Sequence, residues 1–283
     1  MFVWLASYPK SGNTLLRSML AAYFFSEDGV YNFDLNENIR QFPSSKLFER
    51  MGIDLTDEKE VIKNYIKAQE SINQKEKLQF LKTHSYLFNI DNKPFTNLNN
   101  TLGVIYIVRD PRNVVTSYAH HSGISPELAA RSMIELYKYK GDLTSKNSER
   151  TTLYMGTWSG NYNSWKSLKD PGRYLLVKYE DLINNKDLTF RKVIKFLCML
   201  KGIKFKIDQV KFRNVIESTE FKKMQKLEKQ KGFREAKIDS KTGKKIPFFN
   251  LGAKNDWKKF LDPEIKLKIE KNFRKEMKEL GYL

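Results

Sequence analysis

Four short apolar runs, residues 2–5, 79–82, 104–108 and 174–179, punctuate the chain, each followed by polar residues or by apolar positions at helical spacing. Runs of this length, rich in β-favouring residues, read as strands buried on both faces. Strands that alternate with helices predict an α/β fold: a central, mostly parallel β-sheet flanked by helices. After the first run come two breakers, Pro9 and Gly12. Leu15, Leu16, Met19, Leu20, Tyr23 and Phe24 then recur at the spacing of a helix that begins near Thr14. The N-terminus is thus expected to be a P-loop-like strand-turn-helix. No Pro/Gly/Ser linker or repeat interrupts the alternation, so residues 1–283 are expected to form one domain.

The turn carries the first chemical signal. A helix N-terminus presents unpaired N–H groups with partial positive charge, and a glycine lets backbone approach a ligand closely. Lys10, Ser11, Gly12, Asn13 and Thr14 add a cation and polar side chains, a composition suited to a phosphate or sulfate. The order differs from a Walker A loop, because the lysine precedes the turn's glycine. Ligands of open parallel sheets bind beyond the strands' carboxyl ends, where Lys10, His84, Arg109 and Tyr179 all fall.

The segment YPKSGNT at residues 8–14 resembles the YPKSGTTW signature of sulfotransferases that use 3′-phosphoadenosine 5′-phosphosulfate (PAPS). Five further segments resemble that family in order. They are FLKTH at 80–84, VIYIVRDPRNVVTSY at 104–118, LLVKYEDL at 175–182, STEFKKM at 218–224 and LGAKNDWKKF at 251–260. The resemblance implies PAPS as co-substrate, with no metal. It implies that residues 10–14 hold the 5′-phosphosulfate, that Lys10 and Lys82 supply positive charge to the leaving phosphate, and that His84 is the catalytic base. By the same resemblance Arg109 and Ser117 bind the 3′-phosphate, and Tyr179, Thr219 and Phe221 contact adenine. Leu251 and Gly252 belong to the C-terminal cofactor-binding block. The chain departs from the pattern at Leu15, where the family has a stacking tryptophan, at Asn250 and Leu251 in place of an Arg-Lys pair, and at Asn255 in place of a glycine. Arg112 and Lys254 are candidates to replace the missing pair, and Trp257 is expected to pack rather than bind.

The formal charge of +18 at pH 7 first suggests nucleic acid, yet lysine greatly outnumbers arginine, a bias that A+T-rich coding also produces. Residues 222–245, with ten Lys/Arg against three Asp/Glu, read as a mobile basic loop over an anionic cofactor or for an acidic partner. No apolar run approaches the ~20 residues of a membrane span, and the first strand starts at residue 2, so the chain reads as cytoplasmic without stable membrane insertion. The lone Cys198 is expected to be buried. No spacing suggests a metal site.

The expected reaction is sulfuryl transfer to a hydroxyl or amine of a small-molecule, lipid or glycan acceptor, with no nucleic-acid partner. Acceptor-side loops are expected in residues 26–75 and 119–170, with Phe33, Phe42, Tyr118, Tyr154, His120 and His121 as candidate lining. Two alternatives stand beside it. One is a P-loop-type kinase or hydrolase with Asp110 on magnesium. The other is a non-enzymatic nucleic-acid or nucleotide-binding protein that uses the basic stretch.

Overall fold

A computed structural model describes every residue except 75–76, 136–137, 140–150, 169–171 and 239–241. Parts of the expected acceptor loops and of the basic stretch therefore lie outside the described residues. The central sheet has five strands: β1 (Phe2–Ser7), β2 (Arg40–Gln41), β3 (Gln79–Thr83), β4 (Thr101–Val108) and β5 (Tyr174–Lys178). Their order is β2-β3-β1-β4-β5, and every pairing is parallel. Four of the five are the apolar runs, extended by one to three residues or, for β5, ended one residue early where Tyr179 opens a helix.

Both faces of the sheet are buried, which explains why β1 is a continuous apolar run rather than an alternation. Phe2, Trp4 and Ala6 face one core with Phe42, Phe95, Tyr106 and Trp165. Val3 and Leu5 face the other, with Leu16, Leu20, Ile105, Ile107, Phe190 and Val193. The helices that matter for the site are α1 (Asn13–Phe25), α2 (Pro111–Ser122), α3 (Trp158–Lys166), α4 (Lys186–Leu200), α5 (Gln209–Ser218), α6 (Phe221–Lys231) and α7 (Pro263–Asn272). Cys198 is buried on α4, as the apolar pattern implied. Among the described residues no helix is long and apolar enough to cross a membrane.

Register fixes where the chemistry gathers. Ala6 pairs with Thr83, Ser7 with Ile107 and Val108 with Lys178, so the carboxyl ends of β1, β3, β4 and β5 form one edge. From β1 the chain runs first to the β2–β3 side and then crosses to β4 and β5, which makes β1 the switch point where a crevice opens.

Three expectations change. The basic stretch is not simply a loop: residues 221–231 form α6, and the chain after it folds back as a strap. Glu228 on α6 accepts the amides of Phe248 (2.7 Å) and Phe249 (2.9 Å), and Gln225 Nε2 donates to the carbonyls of Phe249 and Asn250, both at 2.8 Å. Phe233 packs among Phe33, Phe248 and Phe249 with ring centroids 4.7 to 5.2 Å apart. Phe33 therefore belongs to this aromatic anchor, Phe42 belongs to the core around Trp4, and Tyr154 donates to Glu58 at 3.1 Å, so of the four aromatics only Tyr118 lines the pocket. Arg112, finally, lies outside the pocket lining and is engaged elsewhere. Its guanidinium is held by both oxygens of Asp110, by Glu270 on α7 and by the Tyr282 carbonyl, and it stacks 3.9 Å from the Trp257 ring.

Candidate active site

The turn after β1 owes its shape to two residues with left-handed backbone, Lys10 (φ 64°) and Gly12 (φ 100°). Gly12 caps α1, and no side chain among the described residues caps it, so the helix presents its first amides at the sheet edge. A Cβ on Gly12 would lie 2.3 Å from Cδ2 of Tyr179, so glycine is required both by its dihedral and by the ring lying on the turn. Ser11 is fully buried beneath the turn. Asn13 ties the turn to β1 through the Leu5 carbonyl (2.9 Å) and Ser7 Oγ (3.2 Å).

A pocket of about 1110 Å³ opens at the carboxyl edge of the sheet. Of the residues singled out from the sequence, Lys10, Gly12, Asn13, Thr14, Leu15, Lys82, His84, Arg109, Ser117, Tyr179, Thr219, Phe221, Leu251 and Gly252 line it, together with His120, His121 and Tyr118. Ser11 alone of the expected ligands does not.

Positive charge is concentrated along one wall. The Lys10 ammonium lies 3.8 Å from the centre of the Phe248 ring, and its pKa is lowered to about 7, chiefly because burial strips its water, against the pull of Glu235. Lys82 is buried at the end of β3 and bonds Glu235 (3.2 Å). Arg109 follows β4, donates to the Lys10 carbonyl at 3.3 Å and lies 4.3 Å from the Tyr179 ring centre. Burial holds the Tyr179 hydroxyl in its neutral form, its pKa raised. Arg109 Nε, buried on the pocket wall, has no hydrogen-bond partner among the described residues. Such an atom fits a wall built to receive oxygens from a ligand.

His84 stands one residue past β3. Its Nδ1 lies 2.9 Å from the Ser7 carbonyl and 3.2 Å from Ser7 Oγ. A carbonyl only accepts, so the neutral ring carries its hydrogen on Nδ1 and its basic lone pair on Nε2. Asn161 on α3 fixes this segment by donating to the carbonyls of His84 (3.0 Å) and Met155 (2.8 Å), which brings Leu153 and Met155 to the same wall. His120 Nε2 bonds the Pro247 carbonyl (3.1 Å), and the His121 ring meets Phe248 edge to face, so both hold the strap.

The adenine-side candidates are placed unevenly. A Cβ on Gly252 would lie 2.6 Å from the Phe221 ring, so the glycine makes room for that ring. Thr219, which ends α5, is fully buried and its hydroxyl donates back to the Val215 carbonyl (2.6 Å). Asn255 bonds Thr116 Oγ1 and the Asn113 carbonyl, docking the C-terminal block on α2. Lys254 is exposed and does not line the pocket.

Asp110, the magnesium ligand of the kinase alternative, caps α2 and gives both oxygens to Arg112. Among the described residues no group of three or more His, Cys, Asp or Glu side chains is arranged to hold a metal.

Several pocket residues were not anticipated. Lys186 on α4 lines it with a pKa lowered to about 8, mainly by burial, and caps α5 through the Ile216 and Thr219 carbonyls. Glu235, Lys237 and Phe248 come from the strap. The charge of residues 222–245 suggested a cover over an anion and so pointed to the segment of Glu235 and Lys237, while Phe248 lies beyond it.

Comparison with known proteins identifies the family and the fold. The family model for the sulfotransferase domain matches residues 2–281. Flavonol 3-sulfotransferase of Flaveria bidentis is 26% identical over 277 residues, 95% of this chain and 79% of that protein. Human sulfotransferase 1E1 is 22% identical over 284 residues, 97% and 83% respectively. The fold is shared with mouse sulfotransferase SULT7A1 complexed with PAP (17% identity, TM-score 0.55, covering 97% of this chain and 83% of that one). It is shared also with retinol dehydratase in complex with androsterone and PAP (15%, TM-score 0.59, 98% and 80%). With its motifs gathered at one sheet edge and the family model spanning nearly its whole length, this chain belongs to the sulfotransferase domain family.

Proposed function

We propose that this sulfotransferase takes the sulfuryl group of PAPS and passes it to a hydroxyl or amine of a small-molecule, lipid or glycan acceptor, with His84 as general base. The observation that carries the reading is the meeting of Lys10, Lys82, Arg109 and His84 on one pocket at the switch point of the sheet. The turn's amides, Thr14 and the two lysines would hold the 5′-phosphosulfate. Arg109 and Ser117 would take the 3′-phosphate, and Tyr179, Phe221 and Gly252 would flank the adenine. Cytoplasmic location is part of the same proposal.

The acceptor oxygen or nitrogen attacks sulfur, the bond from sulfur to the bridging phosphate oxygen breaks, and His84 Nε2 takes the acceptor's proton. Charge builds on the departing oxygen, where an ammonium lowers the barrier because it is already in place and partly dehydrated. Lys10 fits that role: it returns to its charged form beside an anionic ligand. Tyr118, Ile124, Leu153 and Met155 give the acceptor end an apolar wall, and a flavonol sulfotransferase among the relatives supports a small hydroxylated acceptor.

Labelled PAPS incubated with a panel of phenols, alcohols and amines tests the reading. Transfer to at least one class is expected, with His84→Ala slower by about 10² to 10⁴-fold and 3′-phosphoadenosine 5′-phosphate binding retained. Wild-type turnover in His84→Ala would remove the base.

A further inference from the structure

The Glu235 carboxylate sits among the cations of the donor pocket, and it comes from the most basic segment of the chain. Glu235 Oε1 lies 2.5 Å from Arg17 Nη1 and 3.2 Å from Lys82 Nζ, and Oε2 accepts from Thr14 Oγ1 at 3.3 Å. The three charged side chains are largely shielded: 11% of Arg17, 3% of Lys82 and 15% of Glu235 is exposed. The same charge also acts on Lys10, holding its pKa higher than burial alone would. Two cations, a hydroxyl on the first turn of a helix and the anion-binding turn beside them are the partners of a tetrahedral anion, here given to a side chain.

We propose that the Glu235 carboxylate stands in for the anionic 5′ end of the donor and competes with it, so that Glu235 must leave Lys82 and Thr14 before the donor can seat. This rests on the PAPS reading above. Two anions cannot share these cations without strong like-charge repulsion, which the small dielectric screening of a buried site leaves large. Release does not require the strap to open. Phe233, two residues earlier, is fixed between Phe33 and Phe248, and the Lys237 carbonyl is bonded by the Ile246 amide at 2.8 Å, so rotation of one side chain suffices. The consequence is selectivity. A free phosphate or sulfate ion gains only what it takes from Glu235, whereas the nucleotide adds its 3′-phosphate and adenine contacts and displaces the carboxylate. Arg17, which does not line the pocket, is the residue that receives Glu235.

The test is calorimetric titration of 3′-phosphoadenosine 5′-phosphate and of inorganic phosphate into wild type, Glu235→Gln and Glu235→Asp, with thermal melts of each. Glu235→Gln is expected to bind the nucleotide about tenfold more tightly, to gain measurable phosphate binding, and to melt lower when free because Arg17 and Lys82 lose their anion. Glu235→Asp, too short to reach both cations, should fall between the two, and it carries the test if the Gln protein does not fold. Equal or weaker nucleotide binding by the variants overturns the proposal and makes Glu235 a clamp of the donor-bound strap. If no form binds the nucleotide although all melt cooperatively, the donor reading fails, and this inference with it.

Discussion

Lys10 shows how a single side chain can be poised by its surroundings. Burial under Phe248 brings its pKa to about 7, so above neutral pH the free protein holds it largely uncharged. A nucleotide phosphate beside the ammonium favours the charged form, and binding must then be accompanied by proton uptake. At pH 8, titrations of 3′-phosphoadenosine 5′-phosphate in buffers of different ionisation enthalpy should report uptake of about one proton per site. That uptake is expected to vanish in Lys10→Met. Affinity should weaken as pH rises from 7 toward 10. The depressed pKa also has a sign for stability: between about 7 and 10.5 the unfolded chain holds this proton and the folded chain does not, so the Lys10 share of stability rises with pH there. Lys10→Ala should lose about 10² to 10³-fold in turnover. A pH-independent affinity, or near-wild-type rates in Lys10→Ala, contradicts the role.

At the scale of elements, the turn and the strap differ in how far the sequence reveals them. The four main strands were visible because burial on both faces leaves uninterrupted apolar runs, and the turn was visible because Pro9 and Gly12 interrupt them. The two-residue β2 was not, since Arg40 and Gln41 carry no apolar pattern and exist as a strand only through β3. Nor was the strap: what orders it is Glu228 accepting two distant amides and Phe233 among three rings, contacts that no local spacing encodes. Glu235 was hidden for a related reason, an acid whose partners Thr14, Arg17 and Lys82 lie 221, 218 and 153 residues earlier. The positions of Arg109 and His84, by contrast, were legible because each follows a strand end directly, whereas their roles rest on the family resemblance. Gly12→Ala tests the turn, with Gly202→Ala as its control. Gly202 has φ 62° and a Cβ there meets nothing within 4 Å, so it registers only backbone strain. Both variants should lose about 1 kcal/mol for the dihedral. Gly12→Ala should lose more and also bind nucleotide poorly, because its methyl displaces the Tyr179 ring. Equal melting temperatures for the two would contradict the close approach.

Over the whole molecule, a central sheet with two buried faces and a C-terminus tied back to it favours a single cooperative unit, which is how we read residues 1–283. Arg112 is the tie. It joins Asp110 at the start of α2 to Glu270 on α7 and to the Tyr282 carbonyl. Arg112→Met leaves the shielded Asp110 carboxylate without its cation and Glu270 with only Lys266 at 3.9 Å, at a cost of about 3 kcal/mol. Circular dichroism and tryptophan fluorescence should show coincident, lowered unfolding midpoints, while nucleotide affinity of the folded protein is unchanged. Weakened affinity at intact stability would return Arg112 to the 3′-phosphate.

The pocket's claim on a donor with both a 5′ and a 3′ anion is tested most directly by calorimetry with 3′-phosphoadenosine 5′-phosphate, ATP and adenosine 5′-phosphosulfate side by side, with and without added magnesium. The account predicts that the first binds at least about a hundredfold more tightly than the other two, the share expected of a charge-assisted contact to the 3′-phosphate. Equal binding of all three, or ATP binding that depends on magnesium, would contradict it.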